Sequence, residues 1–101
     1  MAENPRRRLE WSARAGADLA DIDAWYAQFG ATTAGRVVSS ILTATKSLQD
    51  HPFLGTEGIK SGTRHMVVSE YPYTIVYRVA VSRVRVVRVL HQRRAYFQRV
   101  R

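Results

Sequence analysis

The apolar residues of this 101-residue chain change period once, from helical to strand-like near Gly62, and that change restricts the fold more than any other feature. From Ala13 to Phe29 the positions Ala15, Leu19, Ile22, Tyr26 and Phe29 alternate steps of four and three, which places one apolar stripe on a helix. Val37, Ile41, Ala44 and Leu48 form a second stripe, which stops at Asp50-His51-Pro52 because the residue before proline is pushed out of the helical region. Gly30 can end the first helix, and Thr32 or Thr33 can cap the second. So short a connection predicts an antiparallel helical hairpin.

Ahead of the hairpin, Arg6 to Trp11 reads as a short strand with Ser12 as the N-cap of the helix that follows. Phe53 to Gly62 shows no period and reads as a loop. Beyond it Thr63–Ser69, Tyr73–Val81 and Arg83–His91 are rich in Val, Ile and Tyr and are broken at Glu70-Tyr71-Pro72 and Ser82. The expected fold is therefore α+β: an N-terminal strand, an antiparallel helical hairpin, then a three-stranded antiparallel meander packed on the hairpin. Tyr73, Ile75, Tyr77 and Val79 share one face of the middle strand. On the last strand Val84, Val86, Arg88 and Leu90 oppose Arg85, Val87, Val89 and His91, which leaves the buried face open. Gln92 to Phe97 should leave the sheet as a short turn or helix. Residues 1–101 fit one domain, with 1–5 and 98–101 as flexible ends.

The net charge of +8 is unevenly placed. Residues 1–70 hold eight basic and eight acidic side chains, whereas residues 71–101 hold Arg78, Arg83, Arg85, Arg88, Arg93, Arg94, Arg99 and Arg101 and no acid. Guanidinium groups fork onto phosphates and carboxylates, so this segment is expected to attract nucleic acid or an acidic peptide. The absence of cysteine excludes disulfides, thiolate nucleophiles and iron–sulfur clusters. His51, His65 and His91 share no ligand spacing, so neither metal nor cofactor is expected. No apolar run is long enough to cross a membrane, and the basic N-terminus has no apolar stretch behind it, which predicts a cytoplasmic protein without a membrane partner. Asp18 and Asp21, one helical turn apart, read as acids complementing the helix dipole. Trp25 lies off the main stripe and is expected to be partly buried against the loop.

Several spaced features resemble RelE/ParE toxins. Trp11-Ser12, Ala15, Asp18-Leu19, Ile22 and Tyr26 are similar to the family's first strand and helix, and Ala34, Arg36-Val37, Ile41, Ala44 and Leu48 to its second helix. His51-Pro52, Gly55, Gly62-Thr63-Arg64, Pro72 through Arg78 and Val87 through Arg94 continue the pattern, so the resemblance spans roughly residues 9–97. It implies a toxin neutralised by a cognate antitoxin with an acidic C-terminal segment. RelE-like members cut mRNA on the ribosome, and ParE-like members poison DNA gyrase and block replication. The stretch from Pro72 to Arg78 and the ending Leu90 to Arg94 look more ParE-like.

Metal-independent RNA cleavage needs a base, a cation for the phosphorane and an acid for the leaving oxygen. Under that reading Arg64, Arg78 and Arg93 would stabilise charge, while His91 or Tyr96 would move a proton. The resembled cleavers carry an arginine just after the middle-strand tyrosine, where this chain has Thr74, and that departure favours a binding poison over a nuclease. The surface expected to hold target or antitoxin comprises Arg78, Arg85, Arg88, His91, Arg93, Arg94 and Tyr96, with an acidic antitoxin segment crossing Arg78 and Arg93. A toxin homologue that binds its antitoxin without being toxic is a third reading. A homodimer is left open.

Overall fold

The computed structural model describes residues 6–58 and 60–93. Strand β1 (Arg8–Trp11) leads into helix α1 (Ala13–Ala27), and helix α2 (Ala31–Ser47) returns beside it. Strands β2 (Thr56–Glu57), β3 (Thr63–Val67), β4 (Tyr73–Val79) and β5 (Arg83–His91) follow. The sheet has five strands in the order β1-β5-β4-β3-β2, with β1 parallel to β5 and every other pairing antiparallel.

The expected helical hairpin is present, with corrected ends. Ser12 caps α1 as its composition suggests, accepting the Ala15 N–H at 2.9 Å. The cap of α2 is neither Thr32 nor Thr33 but Gly30, whose φ of 117° lets the chain reverse after a three-residue link and which, lacking a side chain, makes no capping bond. Phe29 falls beyond α1 and is exposed, so the apolar stripe of that helix ends at Tyr26. Trp25 is exposed as well, edge-on to Phe29 at 6.0 Å, and does not pack on the loop as expected.

The meander is also larger than predicted. Two residues of the loop, Thr56 and Glu57, pair with His65 and Arg64, a strand too short to show a period of its own. At the other edge Arg8 through Trp11 pair with Arg83 through Val86. That pairing joins segments about three-quarters of the chain apart, and no local sequence signal records it. β4 is central and buries five consecutive residues, Tyr73 to Tyr77, as expected for a strand covered on both faces.

A bulge settles which face of β5 is buried. Tyr77 pairs with Val86 but Val76 pairs with Arg88, so Val87 is the extra residue and the alternation reverses after it. Val84 and Val86 before the bulge, and Val89 after it, therefore all join Ile41, Leu48, Ile75 and Tyr77 in one core beneath the hairpin. Val76 and Leu90 form a small second cluster on the outward face.

The loop from Pro52 to Gly55 is pinned to this core. The fully buried Tyr77 hydroxyl donates to the Pro52 carbonyl at 2.8 Å and accepts the Gly55 N–H at 2.9 Å. Gly55 has no room for a side chain, since a Cβ there would lie 2.5 Å from the His65 carbonyl oxygen.

Candidate functional site

The sheet has two ends of different character. At one end lie the starts of β1, β3 and β5 and the finish of β4, and these bring Arg7, Arg8, Arg64, Arg78, Arg83 and Arg85 together. Arg8, Arg78, Arg83 and Arg85 stand on the outward face. Arg8 pairs with Arg83 across the β1–β5 ladder, and Arg78 with Arg85 across the β4–β5 ladder. Like charges placed directly opposite are unfavourable in a sheet. Glu10 alone lies among them, 3.5 Å from Arg85 and 3.8 Å from Arg83. Both contacts are half-exposed and long, so they offset little of that repulsion.

On the hairpin side of the same end the guanidinium of Arg64 lies over the Phe53 ring at 5.3 Å, and that of Arg7 at 5.8 Å. Arg64 donates to the carbonyls of Gly55 and Phe53, and Arg7 to that of Ala80. Arg78 donates to the Ser61 carbonyl at 3.1 Å. Backbone acceptors thus hold these cations in fixed poses. The sequence reading placed the excess charge in the last third of the chain. Folding sets three of those arginines, Arg78, Arg83 and Arg85, at one end of the sheet beside Arg7, Arg8 and Arg64 from the balanced part of the chain.

At the opposite end His91 packs edge-on against Tyr73, with ring centroids 5.7 Å apart, and its Nδ1 accepts the Arg93 N–H. Tyr73 is nearly buried and also meets Tyr26 at 6.4 Å. Its phenol is pushed well above the ordinary tyrosine range, first by burial and then by its hydrogen bond and charge interaction with Tyr26. Gln92 and Arg93 leave the sheet in helical conformation. Arg94 and Tyr96, both expected at the site, and most of the segment from Gln92 to Phe97 lie outside the described residues, as do residues 1–5 and 98–101.

Arg88 and Asp18 belong to neither end, and both expectations for them need correction. Asp18 is well inside α1 rather than in its first turn, and it does not serve the helix dipole. Its carboxylate takes the Arg88 Nε at 2.8 Å, the Arg88 Nη2 at 3.2 Å and the Val89 N–H at 2.9 Å. Both side chains are largely buried. The Arg88 guanidinium is held above its usual value, mainly by the hydrogen bond to Asp18, with burial opposing and charge attraction assisting. Since β1 covers only Arg83 to Val86, the remaining edge of β5 is closed by side chains from α1 and its cap. The Ser12 hydroxyl donates to the Val87 carbonyl at 2.8 Å, and Asp18 receives the Val89 N–H. Arg88 is therefore held in the fold by Asp18.

Among the described residues the members of the nuclease set do not converge. Arg64 lies on the hairpin side, turned toward loop carbonyls, and Arg78 lies on the outward face. His91 pairs with Tyr73, five residues along β4 from Arg78, or about 17 Å at ~3.4 Å per residue. Arg78 and Arg93, expected beneath one antitoxin segment, likewise lie toward opposite ends of the sheet. Thr74, where the resembled cleavers carry arginine, is buried. Among the described residues no group of three His, Asp or Glu side chains gathers in metal-binding geometry, and no helix is long and apolar enough to cross a membrane.

Residues 9–96 match the family described as the ParE toxin of the type II toxin-antitoxin system parDE. The chain belongs to the ParE toxin family. Toxin Y4kP of Sinorhizobium fredii is 35% identical over 86 residues, covering 85% of this chain and 88% of that protein. Toxin RelE2 of Caulobacter vibrioides is 36% identical over 87 residues, covering 86% and 97%. A solved structure described as the chromosomal ParDE TA system from P. aeruginosa superposes with a TM-score of 0.78 at 25% identity, over 85% of this chain and 96% of that one. The toxin thus shares the α+β fold of a ParDE structure, and its family implies a cognate antitoxin partner.

Proposed function

We propose that this ParE-family toxin arrests growth by binding and poisoning DNA gyrase, and that an antitoxin carrying an acidic segment neutralises it. The observation that carries the reading is the dispersal of the described groups a ribonuclease would need. The only histidine among them is about 17 Å along the strand from Arg78, while Arg64 is engaged by loop carbonyls. A cluster of guanidinium groups at one sheet end, with Glu10 the one acid among the outward arginines, suits a protein that acts by occupying a charged partner.

Producing the toxin alone in a bacterial host should stop growth and accumulate gyrase–DNA cleavage complexes while transcripts stay intact. Codon-phased mRNA cuts without DNA damage would establish the second reading, ribosome-dependent mRNA cleavage. That reading draws on the resemblance to RelE toxins and on the relative named Toxin RelE2. Unchanged growth would instead identify a non-toxic homologue that binds an antitoxin.

A further inference from the structure

The β4–β5 hairpin is the centre of the basic end, and its tip is exposed in an unusual way. Its turn closes through the Ala80 N–H to Arg83 carbonyl bond at 2.8 Å, leaving Val81 and Ser82 at the apex. Val81 is 94% exposed, the most open of the large apolar side chains among the described residues. On the hairpin itself stand Arg78, Arg83 and Arg85. Arg8 on β1 flanks it on the same outward face, whereas Arg64 on β3 lies on the opposite face, held by loop carbonyls. Three strands side by side, β1, β5 and β4, make this outward row about 10 Å wide at ~4.8 Å per interval.

We propose that the β4–β5 tip enters the major groove of duplex DNA, with Val81 toward the base edges and the arginines on the phosphates that border the groove. Three features favour a duplex over an acidic peptide. A two-stranded ribbon fits the major groove, whose width of roughly 12 Å is close to the span of the arginine row. An extended peptide would meet a single line of charge, whereas here the outward cations are spread over three adjacent strands beside the tip. The opposed pairs Arg8–Arg83 and Arg78–Arg85 would each be relieved by phosphates lying between them. The proposal rests on the gyrase reading only in taking DNA as the nucleic acid within reach.

The test is fluorescence anisotropy of the full-length toxin with a short labelled duplex and no gyrase, across roughly 50 to 200 mM salt. Binding is expected to weaken with salt at a logarithmic slope of about −4, corresponding to ~4 phosphates. The exposed double variant R83Q/R85Q should reduce that slope by about 2 and lower affinity at least ~10-fold, with an unchanged melting temperature. Val81→Glu should weaken binding similarly. Arg36→Gln on α2, away from this end, should leave it as it was. A duplex whose major groove carries glucosylated hydroxymethylcytosine should bind poorly, while the minor-groove ligand netropsin should not compete.

Four results would overturn the proposal: no duplex binding at the lowest salt, an unaltered slope in R83Q/R85Q, indifference to the blocked groove, or equal weakening by Arg36→Gln. Binding of an oligoglutamate peptide without binding of duplex would assign the end to a protein partner instead. Because gyrase is absent, intact DNA binding by a toxin that fails to trap cleavage complexes would refute the gyrase reading alone.

Discussion

Replacing Asp18 by alanine tests how the open edge of β5 is closed. The substitution removes one carboxylate and strands two groups, the Arg88 guanidinium and the Val89 N–H. Breaking a buried ion pair by deleting one partner costs about 3 to 5 kcal/mol. An orphaned buried donor costs a further ~1 to 3 kcal/mol. Arg88 retains 18% side-chain exposure and can draw in water, which argues for the low end. We expect a loss of about 3 kcal/mol, which in a domain of this size lowers the melting temperature by roughly 12 to 24 °C. Calorimetry and urea unfolding would measure it. Arg88→Met alone should cost less, because Asp18 keeps the Val89 N–H. The double variant should be more stable than the two separate losses imply, by at least ~1 kcal/mol. A loss below ~1 kcal/mol for Asp18→Ala, or strict additivity in the cycle, would refute the idea that this side chain closes the sheet.

Tyr77→Phe deletes the hydroxyl that serves both Pro52 and Gly55, and should destabilise by about 1 to 3 kcal/mol, with faster amide exchange confined to residues 53–55. Gly55→Ala should be destabilising in a thermal melt, since the added methyl would press on the backbone of His65 and on the Tyr77 hydroxyl. Tyr73 has a raised folded-state pKa, so its neutral form is favoured in the native state. Its contribution to stability is complete below the unfolded value near ~10 and is lost as pH rises through the folded value. Stability followed by circular dichroism should therefore decline above about pH 10, and Tyr73→Phe should flatten that decline. An identical alkaline profile in the variant would refute the assignment.

The helices and the three long strands could be read in the sequence because each buries one face and carries the matching period. The stripe from Ala15 to Tyr26 and the stop at Pro52 are purely local. What escaped the reading depends on distant partners. Arg8 to Trp11 reads as a strand, yet its parallel mate 75 residues away leaves no local trace. The bulge at Val87 makes β5 look as if it has no buried face, because one extra residue reverses the alternation half-way along. Arg88, an oddity in a strand, becomes intelligible only when α1 brings Asp18 to it. The basic segment could be read as charge but not as a surface. Composition divided the arginines into an early balanced group and a late excess, and parallel pairing then set Arg8 beside Arg83.

The β1–β5 pairing also bears on when the protein becomes what it is. Contacts of such long sequence separation form late, because the intervening chain must be ordered first. As the polypeptide leaves the ribosome, the hairpin can assemble, while Arg8 waits for a strand not yet made. The basic end consequently comes into being in a single late step, with the arrival of β5. A truncated or stalled chain would carry the N-terminal arginines without the surface they complete, which links the appearance of the candidate binding surface to the finishing of synthesis.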